Sequence, residues 1–233
     1  MASARRGSVV TLGAQASKRD RMEKNDANED YGIWSPYEAF YLASLLYCTR
    51  SALRSATQVR NRLRRDGGVV PESHQWHVGA HTILNAVQNI AIQGAALSRF
   101  FWPSRDHEPH RSRAASLRVG FGIGEDSPLR DRGLRNQMEH FDEELDRFCG
   151  GPVVGDICPE YVGPFPGESD VPRHVFRAYY TDQAVFEVLS CRHSMQPIVD
   201  EITTLDERLR ICCNAGYRIP KTRAETTIHS KGA

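Results

Sequence analysis

Apolar residues recur every three to four positions along four stretches of the chain, and each stretch predicts a helix. The first opens at "SPYEAF", where Ser35 suits the N-cap, Pro36 the first helical position, and Glu38 completes a capping box. Its apolar positions run through Phe40, Leu45, Leu46, Leu53 and Val59 to Arg65, and Asp66-Gly67-Gly68 stops it. The second starts near Ser73, continues through Trp76, Ile83, Leu84, Val87, Ile90, Ala91, Leu97 and Phe101, and ends at Pro103. A polar, basic loop follows, with room for a short helix at Ala114 to Val119. The third long helix starts at Asp126 or Ser127, with Pro128 in its first turn, and ends at Gly150-Gly151. The last spans about Pro197 to Asn214, with Asn214 and Gly216 as stop signals.

The period changes between the third and last helices. "GGPVVGDICPEYVGPFPGESDVP" is rich in glycine and proline and reads as a connector. "HVFRAYYTDQAVFEVLS" holds two short runs of β-branched and aromatic residues about Thr181-Asp182-Gln183, which predicts a β-hairpin. The expected architecture is therefore mainly α: a helical bundle of about four long helices with a β-hairpin appended before the last. Residues 31–150 would form the helical core. Residues 151–216 would supply the connector, the hairpin and a C-terminal helix packing on that core. Residues 1–30 and 217–233 lack periodicity and are expected to be disordered tails.

Composition changes this picture little. With 40% hydrophobic and 25% charged residues, the chain has the balance of an ordinary globular protein. The longest apolar run, Ile90 to Leu97, is interrupted by Gln93 and Gly94, and Val9 to Leu12 is too short for a signal-peptide core. A cytoplasmic protein without membrane contact is expected. The net charge of +1 does not announce nucleic acid, although only four of thirty basic residues are lysine. Arginine offers planar, bidentate donors suited to phosphate. Six cysteines include no C-x-x-C pair, so reduced structural thiols are expected.

The candidate chemistry lies in "LRNQMEHFDEELDRF", Leu134 to Phe148. Leu134, Met138, Phe141, Leu145 and Phe148 fall on one stripe of a helix, its core face. Asn136 and His140 stand one turn apart on the far side, and Arg135 and Glu139 form a one-turn ion pair on the flank. On an ideal helix Arg135 and His140 are about 140° apart. One reading of this face is solvation alone. The other is a site, since imidazole titrates near neutral pH and guanidinium binds phosphoryl oxygens.

Arg135-Asn136-x-x-x-His140 on a capped helix resembles the HEPN superfamily, helical bundles in which an arginine, a following polar residue and a histidine recur. That resemblance implies a metal-independent endoribonuclease in which the ribose 2′-hydroxyl is the nucleophile. His140 would be the general base or acid, Arg135 would hold the phosphoryl oxygens and Asn136 would orient either. It also implies RNA as partner, a homodimer across which the motifs meet, no cofactor, and a toxin or defence setting with a possible antitoxin protein. Arg132 beside the motif, and Arg62 and Arg65 from the arginine run ending the first helix, are the substrate-binding candidates. The alternative is a non-catalytic helical interaction or nucleotide-binding protein.

Lesser candidates remain. His74, His77 and His81 share one helical face and suit a metal, but no carboxylate stands on that stripe. Asn85 and Asn89 can serve either the motif or inter-helix hydrogen bonding. "GFGIGED", Gly120 to Asp126, lacks a following Gly-Lys-Ser/Thr and reads as a loop rather than a phosphate cradle.

Overall fold

Two long helices, α1 (Ser35–Arg65) and α2 (Trp76–Phe101), are the ones the apolar periodicity predicts, and a third, α6 (Met195–Asn214), closes the core with them. The computed structural model describes residues 33–65, 76–105, 107–152, 154–168 and 170–220. Leu42 and Leu45 of α1, Leu84, Val87 and Leu97 of α2, and Ile202, Leu205 and Leu209 of α6 are all fully buried. Each such side chain contributes roughly 1.5–3 kcal/mol of burial, so the three helices carry most of the apolar driving force. One polar bridge crosses the core: the buried Thr49 hydroxyl donates to Asp206 Oδ1 at 2.7 Å, while Arg210 Nε pairs with Asp206 Oδ2 at 2.7 Å.

The expected third long helix is instead three short pieces: a 3-10 turn at Pro128–Arg130, α4 (Arg132–Glu139) and α5 (Phe141–Cys149). Ser127 caps only the 3-10 turn; Asp131 caps α4, accepting from Gly133 N at 2.7 Å and Leu134 N at 3.4 Å. His140, at φ −118° and ψ 41°, is the joint between α4 and α5. The stripe itself is present. Leu134 is buried, and Met138, Phe141, Leu145 and Phe148 pack half-buried against the core. Long helices therefore number three among the described residues, with α3 (His110–Phe121), α4 and α5 short. Gly122, left-handed at φ 59°, ends α3 and returns its N–H to the last turn, so part of the glycine-spaced loop is a helix cap.

The β element is larger than a hairpin. The predicted pair is β2 (Arg173–Tyr180) and β3 (Val185–Val188), antiparallel with Tyr180 opposite Val185. It forms the middle of a four-stranded sheet ordered β1-β2-β3-β4, in which β1 (Asp156–Gly163) runs parallel to β2 and β4 (Cys191–Ser194) antiparallel to β3. β1 lies in the segment read as a connector. Its Pro159 cannot donate to a ladder, which an edge strand tolerates. Phe186 and Val188 face the helical core, whereas Val175, Ala178 and Tyr180 form a separate apolar cluster on the sheet's outer face.

The chain past α6 also differs from expectation. Ile219 N donates to Glu38 Oε2 at 2.9 Å, and Arg218 Nε pairs with the same oxygen at 3.1 Å, so residues 217–220 dock against α1. The remainder of the expected tails, 1–32 and 221–233, lies outside the described residues, as do 66–75. No helix among the described residues is long and apolar enough to cross a membrane.

Candidate functional site

Arg135 is buried, with 7% of its surface exposed. All three of its guanidinium nitrogens are engaged: Nη1 donates to Trp102 O at 2.9 Å, Nε to Glu139 Oε1 at 3.2 Å, and Nη2 to Ser104 Oγ. Glu139 in turn accepts Arg99 Nε of α2 at 3.3 Å. The expected Arg135–Glu139 pair thus exists, but as part of a clamp between α4 and the end of α2. The hollow beside Arg135 holds about 10 Å³. That is at most one water, not a substrate cleft.

His140 and Asn136 lie on the other side. Both are exposed, the His140 side chain by 56%, and His140 Nδ1 stands 3.7 Å from Glu143 Oε1. Arg135 and His140 of one chain therefore share no cleft. The residue that does share the face of Asn136 and His140 is Arg132, exposed and four positions earlier. Arg132 and Asn136 lie one turn apart on α4, about 40° round the helix, and His140 stands at the joint just past its end, so the three follow one another along the exposed side. This line can present a guanidinium, an amide and an imidazole to a docked partner.

A second surface emerges from α1. Phe40 is 68% and Tyr47 74% exposed, although the apolar pattern places Phe40 on a core face. Phe40, Tyr47 and Arg54 are spaced by seven, and Arg65 falls on the same line within about 40° at about 100° per residue. Arg50, Arg54, Arg60, Arg64 and Arg65 are exposed, and Glu38, the sole acid of α1, is buried. The open face of this helix thus carries aromatic rings and guanidinium groups without a carboxylate. Arg62 is turned inward: a Cβ added to Gly79 of α2 would meet its Nη2 at 2.8 Å. Of the two candidates from this run, Arg65 is on the open face and Arg62 against α2. The seven-residue spacing and the lone acid were the available sequence signals for this surface.

No family model, curated protein or solved structure matches this chain.

Of the lesser candidates that the structure describes, some make contacts between elements and others are exposed. His81 Nδ1 stands 3.4 Å from Glu160 Oε1 of β1; His74 and the His77 side chain lie outside the described residues. Among the described residues, no three His, Cys, Asp or Glu side chains are grouped to hold a metal ion. Asn89 donates to Ser55 Oγ at 2.9 Å and Ser51 Oγ at 3.2 Å, tying α2 to α1. Asn85 is exposed. His193 of β4 has a built environment: its Nε2 meets Gln137 Oε1 at 2.7 Å, and burial pushes its pKa below the ordinary value against the pull of Asp131.

Proposed function

We propose that the protein binds single-stranded RNA through the open face of α1. The observation that carries this reading is the line Phe40, Tyr47, Arg54 and Arg65 on a face without a carboxylate. Exposed aromatic rings stack bases of any sequence, and arginines beside them pair with phosphates and stack in their own right. RNA rather than DNA follows from the likeness of Arg135-Asn136-x-x-x-His140 to the HEPN motif. The test is fluorescence anisotropy of a labelled oligouridylate, with a DNA oligothymidylate beside it, over a series of salt concentrations. Binding that weakens with salt and falls in Tyr47→Ala and Arg54→Ala is expected. Oligonucleotide binding that is absent, or that ignores both substitutions, sinks the proposal.

The polar line Arg132, Asn136 and His140 favours a second reading, metal-independent endoribonuclease. In it His140 takes the proton of the 2′-hydroxyl as that oxygen attacks phosphorus to form a 2′,3′-cyclic phosphate, the P–O5′ bond breaks, the 5′-oxygen leaves with a proton from water, and Asn136 holds the phosphoryl group. Because Arg135 is committed to the clamp, Arg132 supplies the guanidinium, from the same chain or from a second copy in a homodimer. A toxin or defence role with an antitoxin partner belongs to this reading only. RNA incubated with the protein in EDTA tests it beside His140→Ala and Arg132→Ala. Cleavage that persists in both variants excludes the line as the active site.

A further inference from the structure

The exposed face of α1 changes character along its length. At its start the rings touch one another: the Trp34 and Tyr37 centroids are 4.7 Å apart and those of Tyr37 and Phe40 6.1 Å. Tyr47 follows Phe40 about two turns on, and all four rings are exposed. From Cys48 to Arg65 the helix has no aromatic residue. That half instead exposes Arg50, Arg54, Arg60, Arg64 and Arg65. α2 is tied to it where Asn89 donates to Ser55 Oγ at 2.9 Å, and α2 has no Asp or Glu from Trp76 to Phe101. At about 1.5 Å per residue, the rings from Tyr37 to Tyr47 span about 15 Å and the cations from Arg50 to Arg65 about 22 Å.

We infer, resting on the proposal that this face binds RNA, that its ligand is a junction: a single-stranded overhang stacked on the aromatic half, continuing into a duplex whose phosphates meet the arginine half. With bases about 3.4 Å apart along a strand, the aromatic half has room for about four of them. Bases beyond the rings find no platform on the second half. In a duplex those bases stack on and pair with each other, so the protein has only phosphates and riboses to contact, which is how A-form RNA is recognised. Two strands also bring about twice the charge per unit length of one, so a row of guanidinium groups gains more from a duplex than from a single strand. The two halves of the face thus suit the two sides of a junction better than one uniform strand.

Fluorescence anisotropy of the full chain at one salt concentration tests this with three labelled RNAs: a blunt duplex, the same duplex with an overhang of about four uridines, and an oligouridylate as long as the overhanging strand. The overhang duplex should bind about tenfold or more tighter than either of the others. Tyr47→Ala should remove most of its advantage over the blunt duplex. Arg54→Ala combined with Arg65→Ala should remove most of its advantage over the oligouridylate. An oligouridylate that binds as tightly as the overhang duplex overturns the junction and leaves single-strand binding by α1 standing. Overhang and blunt duplexes that bind alike overturn it too, and the oligouridylate titration then decides separately whether α1 binds single strands. An advantage over the blunt duplex that survives Tyr47→Ala undiminished places the overhang away from the rings and also overturns the inference.

Discussion

Arg135 of α4 reaches the backbone carbonyl of Trp102, just past the end of α2, at 2.9 Å. The last carbonyls of a helix have no intrahelical partner, and a cation there also meets the negative end of the helix dipole. Arg135 is thus a tie between two helices, and its removal leaves Glu139 and the α2 terminus without their buried donor. Arg135→Ala should cost about 2–4 kcal/mol in urea unfolding. Arg135→Lys should recover only part, because an ammonium cannot reproduce the fork of three engaged nitrogens. His140→Ala, at an exposed joint, should stay within about 0.5 kcal/mol of the parent. An Arg135→Ala protein as stable as the parent would show that the tie contributes nothing.

The α1 face predicts a separation of affinity from stability. Tyr47→Ala removes an exposed ring, so the unfolding midpoint should not move. Its loss should weaken single-stranded RNA binding by about 1–3 kcal/mol if a base stacks there. Arg54→Ala should lower the magnitude of the slope of log affinity against log salt by about 0.7, the contribution of one phosphate contact on a single strand. Anisotropy titrations at several salt concentrations read both effects. An unchanged salt slope in Arg54→Ala would remove that residue from the interface.

Why Arg135 reads as a surface residue in sequence has a physical answer. A helical wheel sorts residues by type, and arginine and glutamine fall outside an apolar stripe. Here Arg135 and Gln137 are both buried, because each bonds a backbone carbonyl, Trp102 O for one and Val188 O at 2.8 Å for the other. Those partners are distant in sequence, so no local pattern reports them. The same contacts account for the break at His140, where neither glycine nor proline marks a stop. α4 is tied to α2 and to β3, while Phe141 and Phe148 of α5 turn to the rings of Phe176 and His174 on β2. By contrast α1, α2 and α6 are legible, since each is long, periodic and bounded by caps or breakers. Asn136 and His140 on the wet face were legible for the same reason. β1 was hidden by Pro159 and its glycine-rich flanks, which signal a loop unless the strand lies at an edge.

The chain after α6 gives a third test. The sequence pattern assigns Glu38 to a capping box at the start of α1, but its buried carboxylate accepts Ile219 N and pairs with Arg218. Ile219 also packs against the core. Truncation before Tyr217 should therefore destabilise the protein by about 1–3 kcal/mol, by leaving Glu38 without its donors and uncovering apolar surface. Glu38→Gln in the full chain should reproduce part of the loss by weakening the ion pair. Chemical denaturation of the truncated and full chains decides this, and equal midpoints would mean that residues 217–220 contribute nothing to the fold.

His193 makes stability depend on pH. Gln137 Nε2 donates to Val188 O, so its Oε1 is the acceptor that faces His193 Nε2 and fixes a neutral Nε2–H imidazole. Burial holds its pKa below the ordinary value; the Asp131 carboxylate, 3.7 Å from Nδ1, only partly opposes this. The folded state thus resists a proton that the unfolded chain accepts near about pH 6.5. Where the unfolded state binds more protons, stability rises with pH. The contribution is therefore complete above about pH 6.5 and is lost as pH falls toward and through the depressed folded value. Urea midpoints should drop between about pH 7 and 5, and the drop should be smaller in His193→Gln, which keeps a side chain able to donate to Gln137. Parallel curves for the two proteins across that range would place the proton uptake elsewhere.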